Sequence, residues 1–488
     1  MKNKFITKGN TLCGNMKERI SIQLYKLMIV IFASFFVLTT FISNYNTASI
    51  LVYAMLASFV VVKFSKKYNS FFDTTSDIKL LIVLSLFCFL FKFLWIYYMR
   101  MEPKVDYATF YYSAVNLSKS WFYPNRYIAL FPHIFGYSSF LSLFFKFFGE
   151  SVFLATLLNV ILTVVSGILI YKIVRNMNSA TAAVYAYVLW IICPSQTIYN
   201  SLVLSDPLYT TFVLAFVYFV VVIAKKEKSL NWIQMLFYGV VSAIILQCIN
   251  VSRPIAMVLI IAMFIWIFVL RFKELFQRDF LVKWLSFFAV MLAVYFSLGG
   301  LWNIYFTSRI GEAPASAPGY NIHVGFNVNS SGAWNAEDSE LLFSYSDQEG
   351  ATAEWAQKQM FNEAKKRITS GEIDFTRLFK NKLSIFLGKD SVCIDYCSDI
   401  IQEYEYMCMI CDVFYYSMIL LSLCGAYKML KTSHRSSVFI LPLYVIGIIC
   451  AQMLVEVAPR YHYSVIPFLI MIPQFYLFKK RNDSKAEE

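Results

Sequence analysis

Charge is scarce in this chain. Only 15% of its 488 residues are Asp, Glu, Lys or Arg, against about 25% in an ordinary soluble domain. With 59% hydrophobic and 18% aromatic residues, too little polar surface remains to cover a water-soluble core. That deficit excludes soluble enzymes and nucleic-acid binders. Nucleotide-binding signatures are missing too: there is neither a phosphate-binding P-loop nor a glycine fingerprint for a dinucleotide. No repeat of fixed period and no low-complexity linker is found, which removes solenoids and flexible tethers. Histidine is sparse, with four in all. His133 and His462 have no third ligand grouped beside them in sequence, so solvated or hydrogen-bonded roles are preferred to a metal. No cofactor is expected.

What is present is a series of long apolar runs. Read as spans of ~17–25 residues, they give about twelve transmembrane helices: 27–44, 49–64, 79–100, 151–174, 180–193, 207–224, 233–250, 254–270, 284–303, 411–430, 437–455 and 464–478. The fold class expected is therefore an all-α polytopic membrane protein. Basic residues gather in alternate loops, so that the formal charge of +13 divides into a strongly positive side and a slightly negative one. By the positive-inside rule both termini are cytoplasmic, and the charge is chiefly a topology signal with some attraction to anionic lipid. The basic N-terminus reads as an uncleaved first helix.

Three parts follow: a transmembrane module over 1–303 with an outer loop at 101–150, an extracytoplasmic segment over 304–410, and transmembrane helices with a cytoplasmic tail over 411–488. The stretch Ser138 to Phe148 is aromatic, amphipathic and too short to span, hence interfacial or re-entrant. Phe375 to Leu387 has helical periodicity and is expected on the membrane surface, ending at Gly388. Of ten cysteines, four (Cys393, Cys397, Cys408 and Cys411) fall outside, where an oxidising environment permits pairing.

A charge at bilayer depth costs about 2.5–3.5 kcal/mol, so each needs a reason. Four regions place ionisable groups at the outer face: Lys92 followed by Asp106-Tyr107; Ser205-Asp206-Pro207; Arg253-Pro254; and Glu456 to Tyr463, with Arg460, Tyr461 and His462. Singly each has a plain reading. Asp206 reads equally as a cap for the next helix, Arg253 and Arg460 as snorkelling cations, and Asp106 as a solvated loop residue. Snorkelling does not explain why acids and bases recur at one level. Together they suit a lipid-linked phosphate held by Lys92, Arg253 and Arg460, with a carboxylate as general base on an acceptor hydroxyl.

With Asp106-Tyr107 before Tyr111, Phe131-Pro132, Gly136-Tyr137, Leu204-Ser205-Asp206 after Pro194, Arg253-Pro254, and Arg460-Tyr461 before Pro467, the chain resembles the GT-C superfamily of integral-membrane glycosyltransferases. It is most similar to the branch of protein O-mannosyltransferases and lipid A aminoarabinose transferases. The resemblance implies a GT-C-like helical bundle. It also implies inverting transfer of a sugar from a polyprenyl phosphate to an extracytoplasmic glycan, polymer or lipid-linked acceptor, a form of polysaccharide modification. By that resemblance Asp106 takes the catalytic position of the first outer loop, and Asp206 falls where relatives often carry Glu. Tyr107 stands where the family commonly has a second acid. Tyr107, Tyr461, His462, Asn327 and Trp334 are candidate substrate contacts. The last two lie in a segment, Asn327 to Asp338, whose amides, indole and carboxylates suit a carbohydrate and equally suit a polar turn. Rival readings are a polysaccharide polymerase or ligase, and a lipid-linked saccharide flippase or transporter.

Overall fold

A computed structural model describes residues 2–43, 48–431 and 437–478. Among these residues every regular element is helical. Nine helices are long and apolar enough to cross a membrane, among them Ala48–Lys67, Asp77–Tyr98, Val152–Met177, Asp206–Lys226, Trp232–Ser252 and Tyr404–Lys431. The protein is a multi-pass membrane protein. Its lipid-facing residues are exposed apolar side chains such as Phe59, Ile82 and Leu86, as expected where the surrounding solvent is hydrocarbon.

The expected count of twelve is corrected at three places. The run at 180–193 folds as Ala180–Ile192, thirteen residues long, which at 1.5 Å per residue reaches only about 20 Å. It stops because Pro194 starts a separate short helix, Pro194–Tyr199. The run at 254–270 divides into the α-helix Ala256–Phe264 and a π-helical turn, Ile265–Leu270. The run at 464–478 is broken into a 3₁₀ helix, Pro459–Val465, and two short pieces, Ile466–Met471 and Gln474–Leu477. Hydropathy sees apolar length and not the continuity of the backbone. The helix Arg278–Ile310 runs on past the apolar stretch and closes at Gly311 with φ +81°. The basic tail expected at 479–488 lies outside the described residues.

The stretch between Asp77–Tyr98 and Val152–Met177 holds Val105–Lys119, Arg126–Leu130 and His133–Phe148. The last of these packs on Val105–Lys119 and on the end of Trp232–Ser252. Gly136 makes that approach: a Cβ there would lie 1.8 Å from the carbonyl oxygen of Val251, two residues before Arg253. The larger outer segment folds as Gly319–Gly325, Ala336–Ser346, Ala353–Thr369 and Phe375–Leu387. Phe375–Leu387 buries Leu378, Leu383, Phe386 and Leu387 and leaves Arg377 and Lys380 exposed, the amphipathic division read from its spacing.

Replacing Gly136 with Ala should force these helices apart and destabilise the protein by about 1–3 kcal/mol or more. A lowered melting temperature in detergent checks this; an unchanged one contradicts the close approach.

Candidate active site

Asp106 opens the helix Val105–Lys119, where a carboxylate is favoured by the helix dipole. It follows Val105, a β-branched residue at φ +49°, a conformation that side chains of this kind rarely adopt. The Asp106 side chain is 58% exposed, and its Oδ2 lies 3.4 Å from Nη2 of Arg460. Arg460 Nη1 donates to the Tyr107 hydroxyl at 3.1 Å. The guanidinium also lies over the Tyr107 ring, 5.4 Å from its centroid. The start of Val105–Lys119 and the 3₁₀ turn that carries Arg460 thus meet directly.

Asp206 is 1% exposed and sits between the two arginines. Its Oδ2 is 3.6 Å from Arg253 Nη2 and 3.9 Å from Arg460 Nε, while Oδ1 accepts from the Tyr209 hydroxyl at 3.4 Å. Although Asp206 begins the helix Asp206–Lys226, no side-chain cap bond forms there. Tyr461 forms the wall between the guanidinium groups, with Arg253 4.8 Å and Arg460 6.0 Å from its ring centroid. Asp206 Oδ2 and the Nε atoms of both arginines are buried without a hydrogen-bond partner. Buried donors of this kind are normally satisfied; two aimed around one carboxylate suit an incoming anion. His133 is half-buried beside them. Burial and the charges of Arg253 and Arg460 push its imidazole down to about 3, so it is neutral here.

The structure gathers Asp106, Tyr107, Asp206, Arg253, Arg460 and Tyr461 into one cluster. Four other candidates are placed elsewhere. Lys92 is fully enclosed within its helix bundle and donates to Thr197 Oγ1. His462 is 2% exposed, with its ring nitrogens on the Phe386 carbonyl at 2.7 Å and Asp390 Oδ1 at 2.9 Å. Asn327 turns inward: its amide donates to Asp338 at 2.9 Å and its oxygen accepts from the backbone of Asn329. Trp334 is 62% exposed. Asp338, itself buried, also takes bonds from Asn335 and Arg367. It is the interior tie of the outer segment. Burial opposes its ionisation, but these donors and His323 outweigh it and hold the carboxyl well below the usual range.

Glu456 belongs to the cluster although the sequence reading gave it no role. Its Oε1 accepts from the Tyr461 hydroxyl at 3.4 Å. Burial, with the Asp106 charge nearby, pushes its carboxyl up to about 7. Its turn is tied to the outer segment: Glu456 N–H donates to the Asn321 carbonyl at 2.7 Å, and Val457 N–H to that of Gly332 at 2.9 Å. Lys382, fully buried, donates to the carbonyls of Gly325 and Val455 at 2.7 and 2.6 Å. Burial lowers its ammonium to about 7. Glu456 was visible in sequence as an acid in the same short turn as Arg460; nothing there pointed to Lys382.

Among the described residues no three His, Cys, Asp or Glu side chains gather to hold a metal ion. The described cysteines are free thiols, and the Sγ atoms of Cys393 and Cys411 lie 3.9 Å apart.

Residues 133–302, about a third of the chain, match the family model described as dolichyl-phosphate-mannose-protein mannosyltransferase. The chain is thus similar over that segment to GT-C glycosyltransferases, in the branch its motifs resembled. The segment holds His133, Asp206 and Arg253 and excludes Asp106, Glu456 and Arg460. No curated protein matches the chain. Among solved structures it is similar to ArnT from Cupriavidus metallidurans bound to undecaprenyl phosphate, with 10% identity and a TM-score of 0.33 over 85% of this chain and 80% of that one.

Glu456 and Lys382 give opposite linkage in separate windows. Glu456 binds its proton more tightly when folded, so its contribution to stability is full below about 4.5 and is lost as pH rises to about 7. Lys382 binds its proton less tightly when folded, so stability rises with pH between about 7 and 10.5. Melting curves of Glu456→Gln and Lys382→Met should each lose the corresponding slope relative to the parent protein; parallel curves across both windows would contradict these placements.

Proposed function

We propose that the protein is an inverting GT-C glycosyltransferase that moves a sugar from a polyprenyl-phosphate donor to an extracytoplasmic acceptor, a cell-envelope glycan, polymer or lipid-linked saccharide. The observation that carries the reading is the pair of guanidinium groups around Asp206, whose Nε atoms are buried without a hydrogen-bond partner, beside the exposed carboxylate of Asp106. The family match over 133–302, to enzymes described as acting with dolichyl phosphate mannose, supports it.

In this reading Arg253 and Arg460 take the donor phosphate. A guanidinium fork suits phosphate oxygens and stays charged when desolvated. Lys92 is not assigned to the phosphate, because its ammonium is enclosed on Thr197. Asp206 keeps the two arginines apart and oriented without neutralising both. Asp106, open to solvent, removes the proton from the acceptor hydroxyl. The hydroxyl oxygen bonds to the anomeric carbon as the bond from that carbon to the phosphate oxygen breaks. The departing polyprenyl phosphate gains negative charge, which the arginines stabilise. Attack opposite the leaving group inverts the anomeric centre. Tyr107 and Tyr461 line the route, and Trp334 offers an exposed aromatic face at the outer segment for a sugar ring. His462 and Asn327 act from within the protein rather than on substrate.

Both termini are assigned to the cytoplasm and the cluster to the opposite face, from the distribution of Lys and Arg. The outer segment, tied to the Glu456 turn, serves as the acceptor-side wall.

Transfer from polyprenyl-phosphate sugars by the purified protein tests this reading. Asp106→Asn should lower turnover by about 10²–10⁴-fold with donor binding retained, whereas Arg460→Ala should weaken donor binding as well. Near-normal turnover in Asp106→Asn would overturn the assignment. Movement of the lipid-linked sugar across the bilayer without transfer would favour a flippase.

A further inference from the structure

We infer that Asp390 is a positioning residue for the phosphate site, acting through His462. The inference rests on the reading of Arg460 as a phosphate ligand. Arg460 and Tyr461 stand on the 3₁₀ helix Pro459–Val465. Such helices have poorer hydrogen-bond geometry than α-helices and rarely run long, so side chains must fix this one's orientation. His462, the next residue, is the strongest tie. Its Nδ1 faces the carbonyl of Phe386 and its Nε2 faces Asp390 Oδ1. Both partners offer oxygens to the ring, so it is held from two opposite sides. The ring also stacks on Tyr415, with centroids 5.3 Å apart and planes at 30°.

Asp390 is itself held firmly. It is 1% exposed, and its N–H donates to Asp412 Oδ1 at 2.8 Å, an oxygen that also accepts from Ser391 N–H at 3.0 Å. Just before it, the carbonyls of Leu387 and Gly388 accept from the hydroxyls of Tyr415 and Tyr416 at 2.9 and 2.7 Å. These are the open carbonyls at the end of Phe375–Leu387. The Asp390 Oδ2 atom has no partner, so the carboxylate serves His462 alone. The helix end and Tyr404–Lys431 thus form a fixed block. His462 transmits its position to Arg460, which must reach Asp106, Tyr107 and Asp206 together. Replacing Asp390 weakens one of the two contacts that hold the ring, and the 3₁₀ segment shifts.

The test uses full-length protein in lipid nanodiscs. Asp390→Asn and His462→Gln should each weaken binding of undecaprenyl phosphate by roughly tenfold, and the double variant should lose no more than either one. Additive losses would overturn the inference. So would a lowered melting temperature with unchanged binding. If Asp390→Asn is not recovered folded, Asp390→Glu keeps the charge and shifts it by one methylene. Weaker binding at an unchanged melting temperature supports the link, and unchanged binding refutes it. Without lipid, the rate at which phenylglyoxal modifies Arg460, read by mass spectrometry, should rise in Asp390→Asn; an unchanged rate overturns the link. A parent protein that does not bind undecaprenyl phosphate overturns the phosphate reading instead, and the phenylglyoxal rates then decide the link alone.

Discussion

Two guanidinium groups share one buried carboxylate, and much of the surrounding structure is arranged to keep them there. Arg253 and Arg460 both approach Asp206 Oδ2 at ion-pair distance, without a hydrogen bond to it. Two cations against one desolvated anion leave positive charge in a place where unbalanced charge is costly. Asp106 offsets part of it from solvent, where its effect is screened. Such an imbalance persists only if the surroundings fix it or a ligand completes it. Here the surroundings do so from three sides. Gly136 lets one helix close on the residues before Arg253, Tyr461 fills the space between the guanidinium groups, and His462 anchors the segment that carries Arg460.

The outer segment is part of this arrangement rather than an appended domain. Its stretch from Asn321 to Gly332 is joined to the Glu456 turn by two backbone bonds and by the buried Lys382 ammonium. Gly325 is needed for the contact, since a Cβ there would lie 2.5 Å from the carbonyl carbon of Val455. Asp338 holds the same segment together from within. An acceptor bound against the outer segment would therefore act on the turn bearing Glu456, Arg460 and Tyr461 through a short, stiff connection.

Much of the site could be read in the sequence because ionisable residues in so apolar a chain stand out. Asp106 and Arg460 are 354 positions apart, yet the expectation of a shared depth in loops on one side of the membrane brought them together. Helix class and membrane residence followed from apolar length. What escaped was direction and continuity. Lys92 has the right depth, but its helix turns it to Thr197. His462 adjoins Arg460, yet its ring turns to the end of a distant helix. Asn327 has the amide that a sugar would want, and it is used by Asp338. The three short or broken helices were hidden because hydropathy does not register prolines and π-turns inside an apolar run. For Lys92 and His462 the deciding partner lies far away in sequence.

The central claim is that Arg253 and Arg460 together hold a phosphate at the outer face. A cryo-electron microscopy structure of the full-length protein in nanodiscs with undecaprenyl phosphate tests it directly. The phosphate should lie between the two guanidinium groups, within about 3 Å of donors from each, with Asp106 facing the opening. Phosphate density on Lys92 or Lys382, with both arginines still turned only to Asp206, would contradict the account.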